Sequence, residues 1–173
     1  IDRLDYTKGL LLRLNGLDRF LEKYPKYIGK VVYLGIIAPS REGIVAYQAL
    51  KKEIAELSAL LNKKYERRGW QPVYISYGVF PRRDIINFYK HASVCLVTPR
   101  DDGMNLVSKE FVLTSSTVAD PGMLVLSQFA GSAIDLTAAL IVNPYDIEQV
   151  ALSIKKALEM ERSEKIQRVR RMV

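Results

Sequence analysis

Three short segments place charged side chains next to small residues in a way that suits a phosphate or a sugar ligand. The first segment, residues 3–9, sets Arg3 and Lys8 five positions apart just before a helical pattern. Arginine binds phosphate oxygens through a bidentate fork, and lysine adds a mobile point charge. The pair therefore suits a diphosphate, while a capped loop with two surface charges explains the segment alone equally well.

The second segment reads Pro39-Ser40-Arg41-Glu42 and follows an apolar run. Ser40 suits the N-cap of the helix that the next residues predict. Arg41 would then lie in the first helical turn, where the helix dipole disfavours a cation. Its position indicates an anionic ligand, and the alternative is an ordinary surface charge.

The third segment, residues 98–110, runs from a predicted strand through a tight turn into a predicted helix. Gly103 would allow backbone amides to converge on a phosphate at the helix N-terminus. Asp102 suits hydrogen bonds to sugar hydroxyls, and Glu110 could project back toward a ribose. The alternative for Glu110 is a surface pair with Lys109.

Apolar runs and helical periods alternate along the chain and must position these segments. The apolar face of the first helix, for example, consists of Leu10, Leu14, Leu17 and Leu21, and the pattern stops at Pro25. The predicted strands cover residues 30–38, 71–77, 93–98, 122–126 and 139–142. The predicted helices cover residues 10–24, 40–64, 82–90, 105–113, 130–136 and 146–160, and a charged tail follows.

This order predicts an α/β fold with a doubly wound parallel sheet of the Rossmann-like type. Ligands of such sheets bind beyond the carboxyl ends of the strands, where the three segments fall. The strand that would precede residues 1–9 is missing or reduced to a stub. Because residue 1 is Ile and not Met, we expect a removed start or a fragment of a longer protein.

Composition narrows the function classes. No apolar stretch reaches the roughly 18–20 residues that cross a bilayer, and one cysteine with one histidine allows neither a disulfide nor a zinc cluster. The net charge of +7 indicates anionic partners. Because the basic residues are scattered, phosphorylated small molecules explain the positive charge better than nucleic acid does. We also expect no membrane partner and a cytoplasmic location.

Five segments of the chain resemble the trehalose-6-phosphate synthases, a family of retaining glucosyltransferases with two Rossmann-like domains (GT-B). They read RLDYTKG, APSRE, NKKYERRGWQPV, TPRDDGMNLVSKEF and GMLVLSQFAGSAIDLTAALIVNPYD. The resemblance covers the whole chain, and so many matches in the right order are specific. It implies that residues 1–173 form the C-terminal, nucleotide-sugar donor-binding domain, and that the N-terminal domain with most acceptor contacts is absent.

The resemblance implies a role for each matching residue. Arg3 and Lys8 match the pair that grips the donor diphosphate and stabilises the leaving group, and Asp102 matches the aspartate that contacts the transferred glucose. Arg41 matches the arginine that reaches the acceptor phosphate. The remaining donor contacts fall on the backbone of Gly103, Met104, Asn105, Leu106 and Val107, on Glu110 at the ribose and on Phe80 with Val79 beside the nucleobase.

In such enzymes the donor phosphate oxygen takes the acceptor proton, so the resemblance implies no protein nucleophile, no cofactor and no obligatory metal. Glucosylglycerol-phosphate synthases share most of these motifs and use glycerol 3-phosphate, so the acceptor stays open. The donor base is open among uracil, guanine and adenine. The isolated domain is expected not to turn over, and its uncovered domain-facing surface leaves self-association into a homo-oligomer open.

One position departs from the family pattern. The family usually reads Pro-Leu-Arg-Asp-Gly, whereas this chain has Pro99-Arg100-Asp101-Asp102-Gly103. A carboxylate replaces a cation at position 101, and it would repel a diphosphate unless Arg100 restores the charge. A catalytically silent binding module is therefore an alternative to the active enzyme.

Overall fold

The computed structural model describes residues 1–40 and 45–173, and within these ranges it has six strands and six α-helices, which alternate as far as the fifth strand. The strands are β1 (Asp2–Arg3), β2 (Tyr33–Ala38), β3 (Val73–Tyr77), β4 (Val94–Val97), β5 (Met123–Ser127) and β6 (Leu140–Val142). The helices are α1 (Leu10–Lys23), α2 (Val45–Tyr65), α3 (Arg82–His91), α4 (Leu106–Ser115), α5 (Ile147–Glu159) and α6 (Arg162–Arg170). The alternation confirms the predicted α/β class.

Every strand pair is parallel, and the strands form two sheets in the orders β1-β2-β3 and β4-β5-β6. Placed side by side as 3-2-1 and 4-5-6, they have the strand order of the Rossmann fold. The helices fall into two groups, since α1 packs against α2 and α5 whereas α3 packs against α4. This arrangement confirms the doubly wound topology and places the loops after β1 and β4 next to each other.

The sheet differs from a continuous one in a single detail. Strand β1 pairs with β2 only at Asp2 opposite Ile37 and Arg3 opposite Ala38, and among the described strands no ladder joins β1 to β4. The earlier part of β2 and the facing part of β4 line an apolar groove of about 660 Å³. We refer to the two sheets, β1-β2-β3 and β4-β5-β6, as the two halves.

Helix α1 connects the halves and confirms the predicted period. Leu10, Leu14, Leu17 and Leu21 are all buried, each at 5% exposure or less. Burying a leucine side chain stabilises a fold by about 1.5–3 kcal/mol. The helix ends at Lys23, ahead of Pro25, where the sequence predicts its end.

Two C-terminal predictions were wrong. The charged tail is helix α6, because Lys165 and Val169 lie one turn apart on its inner face and are buried. The helix predicted over 130–136 is a single 3-10 turn, Gly131–Ala133, because its amides bond to carbonyls three residues back.

Candidate functional site

The first segment folds into a turn that leads from β1 into α1. Asp5 accepts hydrogen bonds from the amide and the hydroxyl of Thr7, at 2.9 and 2.8 Å, and so caps the turn. Gly9 follows with a φ of +65°, which glycine adopts without strain. A Cβ at this position would also collide with the carbonyl oxygen of Thr98. The turn therefore presents Lys8 to the segment that begins at Thr98.

The ammonium group of Lys8 contacts the carboxylate of Asp102 at the junction of the two halves. Lys8 Nζ lies 2.6 Å from Asp102 Oδ2, and both side chains are 13% exposed. The Asn105 amide and side chain donate to the same carboxylate at 3.1 and 2.9 Å. Burial would raise the pKa of Asp102, but the hydrogen bonds from Lys8 and Asn105 and the Lys8 charge outweigh it and lower that pKa. Two residues that the sequence places 94 positions apart are thus one charged unit.

The third segment ends at the N-terminus of α4, which lies directly beside this pair. Asn105 has a φ of +64°, and its side chain caps α4 by accepting a hydrogen bond from the Ser108 amide at 3.0 Å. The amides of Leu106 and Val107 lie in the first turn, where no carbonyl of the same helix can accept them. These amides and the helix dipole favour an anion. The structure therefore places donor groups where the sequence predicts a phosphate.

A second turn, at residues 130–132, holds the loop after β4 in place. The Gly131 amide donates to the Asp102 carbonyl at 2.8 Å, and the Ser132 amide donates to the Met104 carbonyl at 3.0 Å. A side chain at Gly131 would collide with the carbonyl of Gly103. The small residues of this turn thus serve close packing against the loop that carries Asp102.

Sequence reasoning missed Arg13, which lies beneath the site and is 2% exposed. Its guanidinium forms an ion pair with Asp2 of β1 at 2.7 Å. Burial would lower the pKa of Arg13, but Asp2 and Tyr33 outweigh it and raise that pKa, so the arginine is charged. A signal was present, because Arg13 lies three residues after Leu10 and four before Leu17, which places it on the apolar face of α1.

The side chain of Arg100 is held away from Asp101. Arg100 Nε donates to the hydroxyl of Tyr145 at 3.0 Å, and the guanidinium carbon lies 5.6 Å from the centre of that ring. Within the described ranges, the exposed carboxylate of Asp101 makes no ion pair. Nothing in this arrangement shows Arg100 restoring the charge at position 101.

The other predicted residues are not joined to the charged unit. Arg3 is exposed at the end of β1, Glu110 is exposed on α4, and Phe80 packs edge-to-face on Phe88 with ring centres 6.2 Å apart. Their predicted contacts with ligand stay predictions. Arg41, and with it the helix start that Ser40 would cap, lies outside the described residues.

Residues 1–40 and 45–173 contain no group of three His, Cys, Asp or Glu side chains placed to hold a metal ion. No helix among them is long and apolar enough to span a bilayer.

The Rossmann-like fold, with a lysine, a carboxylate and a helix N-terminus at the carboxyl ends of its strands, defines a doubly wound α/β protein with a candidate anion site. Comparison with known proteins narrows this class. The model of glycosyltransferase family 20 matches residues 1–173, and the chain belongs to that family.

Curated and solved relatives agree with this assignment. The trehalose-6-phosphate synthase of Enterobacter sp. (strain 638) is 45% identical over 168 residues, which are 97% of this chain and 35% of that protein. An E. coli structure described as trehalose-6-phosphate bound with UDP-2-fluoro glucose is 44% identical, with a TM-score of 0.95 over 98% of this chain and 38% of its own. The α,α-trehalose-phosphate synthase (UDP-forming) of Burkholderia xenovorans, in complex with glucose-6-phosphate, is 39% identical, with a TM-score of 0.96 over 99% of this chain and 38% of its own. The chain thus spans little more than a third of the length of these relatives.

Proposed function

We propose that this chain is the donor-binding domain of a retaining glucosyltransferase that moves glucose from a nucleoside-diphosphate glucose to glucose 6-phosphate, forming trehalose 6-phosphate. The contact between Lys8 and Asp102 beside the start of α4 carries the proposal. It gathers a cation, a carboxylate and free amides at one point. A diphosphate requires the cation and the amides, and sugar hydroxyls require an acceptor such as the carboxylate.

The described ligands of two relatives support the same substrates. The E. coli structure is described with UDP-2-fluoro glucose and the Burkholderia xenovorans structure with glucose-6-phosphate. A nucleotide sugar and a sugar phosphate are therefore the proposed partners of the whole protein, which includes a second domain for the acceptor. No cofactor or metal and no nucleic-acid partner is part of the proposal, and the proposed location is the cytoplasm.

The mechanism follows from how the charged unit would respond to the donor. The donor diphosphate competes with Asp102 for Lys8, and the first amides of α4 bind its oxygens. Asp102, once released, accepts a hydrogen bond from a hydroxyl of the glucose. Arg3 supplies a second cation, so the charge that develops on the departing diphosphate meets fixed positive groups. Catalysis in this proposal is positioning together with electrostatic stabilisation of the leaving group.

The outer contacts complete the proposed site. Glu110 would bind the ribose hydroxyls from one turn further along α4, and Phe80 would form the wall beside the nucleobase. Arg41 would reach the acceptor phosphate.

A second candidate is a binding module without catalytic activity. The observation that favours it is the carboxylate of Asp101, which makes no ion pair among the residues that the structure describes. The Asp101 amide lies 3.4 Å from the Thr7 carbonyl, next to Lys8. The Arg100 guanidinium donates to Tyr145 and is not paired with Asp101. A carboxylate beside the proposed diphosphate would repel it. Under this candidate, the longer protein with its acceptor domain binds a nucleotide sugar without turnover, and measured turnover would contradict it.

Calorimetric titration of this chain with UDP-glucose, GDP-glucose and ADP-glucose tests the proposal. We expect one of the three to bind, and Lys8→Ala to weaken that binding by about 10- to 100-fold, the worth of a hydrogen bond to a charged group. Lys23→Ala, at the exposed end of α1, is the matched control and should leave the affinity unchanged. Equal binding by wild type and Lys8→Ala would contradict the assignment of the site.

A further inference from the structure

The guanidinium group of Arg13 donates hydrogen bonds to four different parts of the chain. Nη1 donates to Asp2 Oδ2 at 2.7 Å and to the Tyr33 hydroxyl at 3.5 Å. Nε donates to the Thr98 hydroxyl at 3.0 Å, and Nη2 donates to the Lys8 carbonyl at 3.2 Å. The side chain is almost fully enclosed, at 1% exposure.

These four partners include residues of both halves. Asp2 and Tyr33 belong to β1 and β2 of the first half, whereas Thr98 directly follows β4 of the second half. Among the described strands no backbone ladder connects β1 with β4. The guanidinium therefore joins the two halves through its hydrogen bonds to Asp2, Lys8 and Thr98.

The same connection reaches both members of the charged unit through the backbone. Arg13 holds the carbonyl of Lys8 itself, and it holds the hydroxyl of Thr98, four residues before Asp102. Two further contacts join these segments, since the Arg100 amide donates to the Thr7 carbonyl at 2.6 Å and Gly9 packs against the Thr98 carbonyl. Arg13 is thus one step removed from the atoms that would touch the ligand.

We propose that Arg13 is a positioning residue for donor binding, which fixes the separation between Lys8 and Asp102 by holding the segments that carry them. This inference rests on the proposed function and deepens it. Arg13 does not contact the donor, and it acts through the placement of Lys8. Only a guanidinium fits the role, because its planar fork donates from three nitrogens in fixed directions, whereas a lysine ammonium on a flexible stem donates from one atom.

Arg13→Lys is the decisive variant because it keeps the charge beside Asp2 and loses the fork. We expect its affinity for UDP-glucose to fall about tenfold, as one charge-assisted contact of the donor is misplaced. Arg19→Lys, on the exposed face of the same helix, is the matched control and should bind as wild type does. Thermal melts of both variants report how much of any change comes from lost folding.

A double-mutant cycle with Lys8→Ala separates positioning from general stability. If Arg13 acts through Lys8, then Arg13→Lys has little further effect on UDP-glucose affinity once Lys8 is already alanine. If Arg13 serves only the stability of the fold, the two losses add. Additive losses would overturn the proposal.

A second readout needs no nucleotide sugar and so separates this inference from the proposed function. Carboxyl carbon NMR follows the titration of Asp102 in the free chain. We expect Arg13→Lys to raise the pKa of Asp102 toward its ordinary value, because Lys8 is no longer held against it, and Arg19→Lys to leave it unchanged. An unchanged Asp102 titration in Arg13→Lys would overturn the proposal, whether or not the chain binds UDP-glucose.

Discussion

Helix α1 makes ion pairs toward both of its ends, and the two environments differ although the chemistry is the same. Near its start, Arg13 meets Asp2 with both side chains at 6% exposure or less. On its outer face, Arg19 contacts Glu148 of α5, and Lys23 lies 2.8 Å from the same carboxylate, with all three side chains between 35% and 47% exposed. We call these two regions the buried junction and the exposed pairs.

The difference in burial indicates how much each region contributes to the stability of the fold. Exposed ion pairs are screened by water and salt and typically add little stability. A buried pair gains little over apolar packing, but removing one partner leaves an uncompensated charge in the interior. The fold therefore tolerates changes at the exposed pairs and depends on the junction, which is also where the loops of the proposed site meet.

The largest expected effect comes from a substitution that breaks the buried junction. Arg13→Met should lower the free energy of unfolding by about 3–5 kcal/mol, because Asp2 is left buried without its partner. Urea unfolding followed by circular dichroism measures this loss. Arg19→Met is the matched control at the exposed pairs and should leave the midpoint nearly unchanged. Similar midpoints for the two variants would show that burial does not separate the regions.

A smaller effect concerns how acid changes the free energy of unfolding, through Asp102 next to the buried junction and through Glu148 of the exposed pairs. The folded pKa of Asp102 is lowered from 3.8, and that of Glu148 is lowered from 4.5 by hydrogen bonds from Lys23 and Arg19. Each carboxylate therefore contributes stability that is present above its unfolded pKa and is lost as the pH falls through its folded pKa.

Unfolding free energies measured from pH 5 downward, at low and high salt, separate these contributions. Asp102→Asn should flatten the acid limb at both salt concentrations, because the carboxylate is mostly enclosed. Glu148→Gln should flatten it only at low salt, since an exposed pair is screened. An Asp102→Asn profile that matches wild type would mean that the Lys8 contact does not persist in solution.

The smallest expected effect lies at the rim of the site. Tyr145→Phe removes the hydroxyl that accepts a hydrogen bond from Arg100 and keeps the ring beneath the guanidinium. Because the tyrosine is half exposed, we expect the free energy of unfolding to change by less than about 0.5 kcal/mol. Chemical unfolding alongside Arg13→Met measures both on one scale, and a loss comparable to that of Arg13→Met would place Tyr145 in the junction.

The apolar periodicity of the sequence predicted the fold well, because each buried position of a helix or strand favours an apolar residue. Helix α1 and the strands β2, β4 and β5 can each be predicted from the local pattern of apolar residues alone. Helix α6 was missed, because its burial rests on the stem of Lys165 and on a single valine, Val169, rather than on an apolar stripe.

The sequence predicted individual residues of the candidate site but not which of them contact each other. Asp102, Gly103 and the start of α4 follow from turn and capping preferences within one short segment. The Lys8 contact with Asp102 joins residues 94 positions apart, and no local rule sets that distance. Arg13 was overlooked for the opposite reason, since a charged residue on an apolar helix face is usually assigned to solvent when its buried partners are unknown.

The most direct test of the central claim is a two-dimensional NMR titration of this chain with UDP-glucose. The account predicts that the largest shifts fall on the amides of Lys8, Gly103, Leu106 and Val107, where the charged unit meets the start of α4. Shifts concentrated instead along the apolar groove between β2 and β4, or no shifts at all, would contradict it.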